Sequence, residues 1–501
     1  MELKDLFYSW VPVWLKLPVL FLLFFVILTA NAVYVGNATD MYSGLGVYPE
    51  PFTEAFNAVY IGMGLGLMLE WRLKLRFSNK TLLLWGLTMM ALANLVNMYT
   101  ENPVLIVVSC LILGFTKISA LMEVYIIWLV VWSPKLDTTR MYPFVYITAL
   151  SGVYFVTWLT ARLAYTYNWR HGYILMLILI GVCLLAGLLL VENHPLRRRM
   201  PLYQMDWLGL LLLASFLILV NYVAVYGKTE NWWASEKMQA ASCLIAVTFF
   251  AFILREGLVK RPVLPFALFK RGSFVKGLVY FLILGIFLPA SIQGTFTAGV
   301  LDFESISNNR LNLYLIPGVA AGAVLSWFWY YYKKNTEVLL FIGLAAFVAY
   351  YYLLYTNLAT GLGLEDFWGM SILKGFGTVL MYIVVGLNTT SGFPLNNIFT
   401  AGGMMILFRS VLGSGVIAGI YSWLLYAGRI RHFDRLAGSI EADAGGLLQP
   451  AGYYRILQGQ ATLAASKELC GLIIVIGIML LVAIVLSHFW RVATNRPRIL
   501  G

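Results

Sequence analysis

The sequence predicts an all-α polytopic membrane protein: fourteen transmembrane helices, arranged as six, two and six (6+2+6), with both termini cytoplasmic. Three observations predict this: the composition, a series of apolar runs of spanning length, and a one-sided distribution of basic residues. Of the 501 residues, 61% are hydrophobic and only 12% are charged. Mean hydropathy is +0.80. A soluble domain is about half apolar and a quarter charged. The net charge of +12 fits the gathering of Lys and Arg in cytoplasmic loops and is not read as a nucleic-acid surface.

A spanning helix needs about 20 mostly apolar residues. Such runs lie near 17–40, 53–71, 81–99, 103–133, 141–166, 171–191, 206–226, 238–256, 273–299, 310–332, 336–357, 367–388, 397–427 and 468–490. The first lacks a small-residue cleavage site and is not expected to be a cleaved signal. An even number of spans leaves both ends on one side. Alternate loops hold Arg72, Lys74, Arg76 and Lys80, then Arg197 to Arg199, then Arg255, Lys260, Arg261, Lys270 and Arg271, then Lys333 and Lys334. That side is expected to be cytoplasmic. The loop 428–467 is expected to face outward.

The chain repeats itself. "GMGLGLMLEWRLKLRFSNKTLLL" (62–84) and "GVAAGAVLSWFWYYYKKNTEVLL" (318–340) align at one constant offset. Gly62 meets Gly318, Gly66 meets Gly322, Trp71 meets Trp327, Asn79 meets Asn335 and Leu83 meets Leu339. Each segment is a glycine-spaced helix, a basic turn and the start of the next helix. Such repeats mark transporters built from related halves with the site between them. The expected domains are 1–200, a six-helix bundle; 201–261, two extra helices; and 262–501, a second six-helix bundle.

Little points to an enzyme. Cys110, Cys183, Cys243 and Cys470 sit apart in apolar runs, which argues against a disulfide or zinc framework. His171, His194, His432 and His488 form no HExxH pattern or helical pair. No cofactor is expected.

Several segments resemble the major facilitator superfamily, specifically its fourteen-helix drug:proton antiporter branch (EmrB/QacA-like). "MDWLGLLLLASFLILVNYVAVYGKTENWW" (205–233) is similar to that branch's seventh helix. "LREGLVKRPVLPFALFKRGSF" (254–274) resembles its following basic connection. "NNIFTAGGMMILFRSVLGSGVIAG" (396–419) resembles its thirteenth helix, with Arg409, Gly413 and Gly415 matching. "ILQGQATLAASKELCG" (456–471) and "NWRHGYIL" (168–175) match further segments. Other motifs are altered. Leu75 stands where the loop motif has Asp, and Ser78 where it has Gly. Cys110 replaces the fourth-helix Arg while Gly114 is kept, and Thr157 replaces the fifth-helix Pro. Asn31 stands in place of the first-helix acid.

The resemblance implies the major facilitator fold in the bacterial inner membrane, and a secondary exporter driven by proton antiport. Its substrates would be hydrophobic or amphipathic small molecules, with no cofactor beyond the proton gradient. It also implies a periplasmic adaptor and an outer-membrane channel as partners. The alternative is a dedicated exporter of one endogenous metabolite, such as a siderophore or lipid-like product.

The site candidates are charges and amides inside spans. A Lys at the centre of a membrane helix costs about 2.5–3.5 kcal/mol on insertion scales and is a functional hypothesis by default. Lys117 and Glu123 share the fourth span. They stand roughly 120° apart around the helix axis, so a mutual pair is not required. Glu123 reads as the carboxylate well inside a span and as a proton-handling candidate. Lys374 lies in the counterpart helix, since Gly114-Phe115 aligns with Gly375-Phe376. Two basic residues on cavity helices would favour substrates with anionic or carbonyl groups. Asn31, Asn37 and Asp40 form a polar stripe on the first span, Asp40 nearer its outer end. Arg409 completes the set, and Tyr125, Tyr154 and Tyr382 are candidate pocket aromatics.

Overall fold

A computed structural model describes residues 7–132, 138–193, 205–438 and 450–493. The basic run Arg197 to Arg199 lies outside the described residues. Seven helices form a first bundle: α1 (Val13–Thr29), α2 (Ala32–Leu45), α3 (Glu50–Lys74), α4 (Asn79–Tyr99), α5 (Pro103–Trp132), α6 (Thr138–Thr166) and α7 (Arg170–Leu190). Next come α8 (Trp207–Tyr226) and α9 (Glu236–Leu258). A second bundle follows: α10 (Gly272–Leu284), α11 (Ser291–Gly299), α12 (Ser305–Leu313), α13 (Ile316–Tyr331), α14 (Thr336–Asn357), α15 (Trp368–Thr390), α16 (Leu395–Ile406), α17 (Val416–Gly438) and α18 (Pro450–Ala493).

Among the described residues, thirteen helices are long and apolar enough to cross a membrane. The protein is a multi-pass membrane protein. The difference from fourteen lies in the ninth expected span, 273–299. It is broken between Leu284 and Ser291, where Pro289 supplies no amide hydrogen. Backbone carbonyls freed inside a bilayer need partners. Tyr421 donates its hydroxyl to the Ile286 carbonyl at 2.8 Å, and Tyr351 donates to that of Phe287 at 3.1 Å. The first span is also interrupted, at Ala30–Asn31 between α1 and α2.

The buried apolar side chains gather into separate cores. One draws on Phe24, Val33, Leu87 and Tyr173 of the first bundle. Another draws on Phe287, Phe347, Tyr351 and Ile473 of the second. A third lies between them, joining Ile61 and Met68 of α3, Leu213 and Leu217 of α8, and Met404 and Leu407 on the α16 side. The inserted α8 is tied to α3 by polar contacts. Asn57 Nδ2 donates to Asn221 Oδ1 at 2.8 Å, and Asn221 Nδ2 donates to the Glu54 carbonyl at 3.0 Å.

The glycines of the repeat mark matching helix crossings. A Cβ at Gly62 would run into the Leu111 carbonyl of α5, and one at Gly318 into the Ile372 carbonyl of α15. A Cβ at Gly114 would run into the Val59 carbonyl, and one at Gly375 into that of Leu315. The α3–α5 and α13–α15 pairs therefore cross backbone to backbone at equivalent places, as small residues allow.

The described chain ends share the end of the bundle that carries the basic turns. Tyr8 N donates to the Leu190 carbonyl at 3.1 Å, and Lys80 Nζ donates to that of Leu188 at 2.8 Å. At the other chain end, His488 Nδ1 lies 3.2 Å from Glu337 Oε2.

The expected outer loop 428–467 is different from expectation. Its described parts are helical: α17 runs on to Gly438, and α18 has 44 residues. At 1.5 Å per residue α18 is about 66 Å long, roughly twice the hydrocarbon thickness. The two helices form a hairpin beyond the far end. Phe433 meets Tyr454 edge to face with centroids 5.4 Å apart, and His432 Nε2 lies 3.1 Å from Glu468 Oε2. A hydropathy scan misses this because helices need not be apolar once outside the bilayer. Arg455 Nη2 reaches Asp302 Oδ2 at 2.5 Å, tying the hairpin to the second bundle, with both side chains exposed. Exposed pairs contribute about 0–1 kcal/mol. Arg455→Ala should therefore leave thermal unfolding in detergent nearly unchanged; a large destabilisation would show that this bridge holds the hairpin.

Candidate functional site

The interruption of the first span creates the centre of the site. Lys117 of α5 is buried and directs its ammonium at this break. Its Nζ donates to the Leu28 carbonyl at 2.7 Å and to Asn31 Oδ1. The end of α1 offers carbonyls at the negative end of a helix dipole, which suits a cation. Among the described residues Lys117 forms no ion pair with a carboxylate. The break in the second bundle, at Gly285–Ala290, falls at the corresponding place in the repeat, and there tyrosine hydroxyls take the carbonyls. Broken helices at matching positions of two halves are the usual location of a transporter site.

From Asn31 the polar contacts continue across the bundles. Tyr60 of α3 lies near Asn31 and Arg409. Arg409 sits in the stretch Leu407–Gly415, which winds as a wider π-helix; such turns recur at functional sites. Its guanidinium carbon lies 4.4 Å from the Tyr382 ring centroid, and its Nη1 donates to the Tyr146 hydroxyl at 3.4 Å. The Tyr146 and Tyr382 rings are 5.6 Å apart. Tyr142 stands 5.8 Å from Tyr146, and its hydroxyl lies 3.4 Å from Thr390 Oγ1 of α15. Tyr125 neighbours Tyr142 and Tyr146, and Tyr154 neighbours Tyr382 and Tyr60. A buried lysine, a partly buried arginine and a cluster of tyrosines thus bridge α1, α3, α5 and α6 to α15 and the π-helical turn. Chemically, this arrangement can hold an aromatic or carbonyl-bearing group against cations and phenol hydroxyls.

Solved structures share this architecture along nearly the whole chain. The nucleoside transporter NupG aligns with a TM-score of 0.58 at 12% identity, covering 94% of this chain and 98% of that one. The peptide transporter PepTSo2 gives 0.57 at 14% identity, covering 95% and 98%. The human organic anion transporter MFSD10 (TETRAN) gives 0.51 at 14% identity, covering 93% and 98%. The chain has the major facilitator fold. In sequence, the chain is similar to the colistin resistance protein EmrB of Acinetobacter baumannii, 23% identical over 272 residues. That match covers 53% of this chain and about half the length of the relative, 51%. No protein-family model matches the chain.

Within the facilitator fold, the sequence candidates separate into several places. Lys117, Asn31 and Arg409 come together as described. Lys374 does not join them. It is buried between α14 and α18, with Nζ 5.1 Å from the Tyr350 ring centroid and beside Cys470. Sharing a counterpart helix did not place it at the same site: the residue that corresponds to Lys117, three beyond the shared glycine, is Thr378. Asp40 lies nine residues beyond Asn31, roughly 13 Å along a helix, next to Ser305 of α12. Asn37 donates to the Trp169 carbonyl at 2.8 Å and so joins α2 to the start of α7.

Glu123 is also elsewhere. Both its carboxylate oxygens accept from Lys74 Nζ at 2.9 Å, at the basic end of α3. The lysine that answers it, Lys74, is the last residue of α3 and stands at the head of the expected loop motif. Sequence reading treated Glu123 as the carboxylate deep in a span and passed over Glu70, which is fully buried. The available signal was a Glu set among the apolar residues of "GLGLMLEW", one helical turn before Lys74. Tyr60, Tyr142 and Tyr146 were missed as well; in a chain with 30 tyrosines, single ones carry no signal.

Proposed function

We propose that this protein is a secondary exporter of the bacterial inner membrane, working by alternating access of its two bundles and driven by proton antiport. The observation that carries the reading is the cationic, tyrosine-lined site where the bundles meet, with Lys117 and Asn31 at its first-bundle side and Arg409 beneath Tyr382. Its substrates would be amphipathic small molecules bearing an anionic or carbonyl group. The basic end of the bundle faces the cytoplasm in this reading, following the distribution of Lys and Arg. Similarity to a protein named for colistin resistance supports export of amphipathic compounds. A periplasmic adaptor and an outer-membrane channel are proposed as partners on the resemblance alone.

The second reading, a dedicated exporter of one endogenous metabolite, is favoured by the ordered contacts from Lys117 to Tyr146. Fixed hydrogen-bond partners discriminate among ligands more sharply than an apolar pocket does.

The test is transport in proteoliposomes under an imposed pH gradient. Fluorescein serves as an anionic aromatic probe, ethidium as a cationic one, and colistin as a large cationic amphiphile. Fluorescein movement that a protonophore abolishes is expected, with ethidium slower. Lys117→Met should reduce fluorescein transport about tenfold, as loss of one charge-assisted contact of about 1.5 kcal/mol implies. Preference for ethidium over fluorescein, or a rate unchanged by the protonophore, would overturn the reading.

A further inference from the structure

The buried carboxyl of Glu70 lies apart from the central site. Neither of its oxygens accepts a hydrogen bond among the described residues, and the Ser119 hydroxyl beside it is unpartnered too. The charged groups that face it are Glu123 of α5 and Lys74 of its own helix. Lys74 is already engaged, with both Glu123 oxygens at 2.9 Å, so Glu70 has a negative neighbour and no free cation. The other packed elements bring apolar or small groups. Phe399 of α16 stacks near Trp71 at 5.9 Å, Gly402 meets Leu67, Gly403 meets Met68, and Leu210 of α8 packs against the cluster around Leu69 and Leu73. An ionised carboxylate shut away from water, with only a serine hydroxyl beside it and no free cation, is disfavoured, whereas the neutral acid is tolerated.

We propose that Glu70 holds the transported proton in this conformation and releases it to water at the basic end when α3 and α16 part. The α3–α16 crossing, where Gly64 and Gly403 meet nearly backbone to backbone, joins one bundle to the other, so a rocking motion must open it. Opening wets the last turns of α3. Glu70 then loses its proton to water and, four residues before Lys74, gains the spacing of a helical ion pair. Lys74 changes partner from Glu123 to Glu70, and the proton passes to the cytoplasmic side. Reclosing carries the Glu70–Lys74 pair back into the crossing; a proton arriving from the opposite side of the membrane then neutralises Glu70 and returns Lys74 to Glu123, so that each cycle moves one proton inward. The inference rests on the proton-driven reading above and supplies its carrier.

The test has two arms. Purified protein in proteoliposomes at neutral pH should show the infrared band of a protonated carboxyl. The band should disappear in Glu70→Gln and weaken in Glu123→Gln, which frees Lys74 to pair with Glu70; a band kept in Glu70→Gln, or untouched by Glu123→Gln, overturns the proposal. In transport, Glu70→Gln should keep fluorescein/fluorescein exchange within about twofold but lose accumulation driven by the pH gradient, and Glu70→Asp should restore it in part. Size-exclusion profiles of both variants check folding, and the conservative Asp variant keeps the test valid if Gln perturbs it. Gradient-driven accumulation in Glu70→Gln equal to wild type sinks the assignment. A wild-type protein indifferent to the gradient instead sinks the antiport reading, while the infrared arm still decides where the proton sits.

Discussion

Replacing Arg409 by Ala should lower transport of an anionic aromatic solute by about thirtyfold or more. The guanidinium lies over the Tyr382 ring at 4.4 Å and donates to Tyr146 at 3.4 Å. A cation–π contact from the guanidinium to the solute's own ring, desolvated on binding, is worth about 2 kcal/mol or more, which is about thirtyfold in binding. Arg409→Lys should recover only part of the loss. A lysine carries the charge but has no planar fork, so it cannot stack on Tyr382 and donate to Tyr146 together. Initial rates of fluorescein transport in proteoliposomes, alongside thermal unfolding of the same preparations, separate a binding defect from a folding one. Equal rates for wild type and the Ala variant would remove Arg409 from the site; equal rates for the Lys variant would reduce its role to bare charge.

Gly114→Leu should destabilise the protein by about 3 kcal/mol and lower its folded yield sharply. Any side chain at Gly114 meets the Val59 backbone of α3, which cannot move aside as a flexible side chain would. Gly375→Leu should do the same, because Gly375 meets the Leu315 backbone at the equivalent crossing. Gly181→Leu is the control, since nothing lies within 4 Å of a Cβ there. Thermal unfolding followed by tryptophan fluorescence in detergent measures all three. A Gly114 variant as stable as the Gly181 variant would show that the α3–α5 crossing is slack.

Much of the fold was legible because bilayer burial writes itself into composition. The long apolar runs marked the spans, and the basic turns marked one end. The repeat around Gly62 and Gly318 anticipated matching crossings because close backbone approach demands glycine in both bundles. The break in the ninth span is not legible in the sequence because hydropathy does not register a break whose carbonyls are capped by tyrosines from elsewhere in the chain. The hairpin of α17 and α18 was read as a loop because its helices continue past the bilayer on polar residues.

The site was legible in part. Lys117, Asn31 and Arg409 stood out because charge and amide groups inside spans are costly and rare. Their mutual arrangement was not readable. A span shows which residues share a helix, not which face meets which neighbour. Glu123 looked isolated in its helix and is in fact answered by Lys74. Glu70 looked like an ordinary residue at a span end and is buried without a partner. Lys374 looked like a twin of Lys117 and lies in another core.

The sequence by itself determined that this protein lives in a membrane, how its helices succeed one another, and which charges are out of place there. Those properties depend on local composition and on the transfer of each segment from water to lipid. Only the tertiary structure decided that Lys117 caps a broken helix, that Arg409 lies beneath Tyr382, and that Glu70 is left without a free cation. Those facts depend on contacts between residues far apart in the chain, where helix rotation and tilt choose the partner of each polar group.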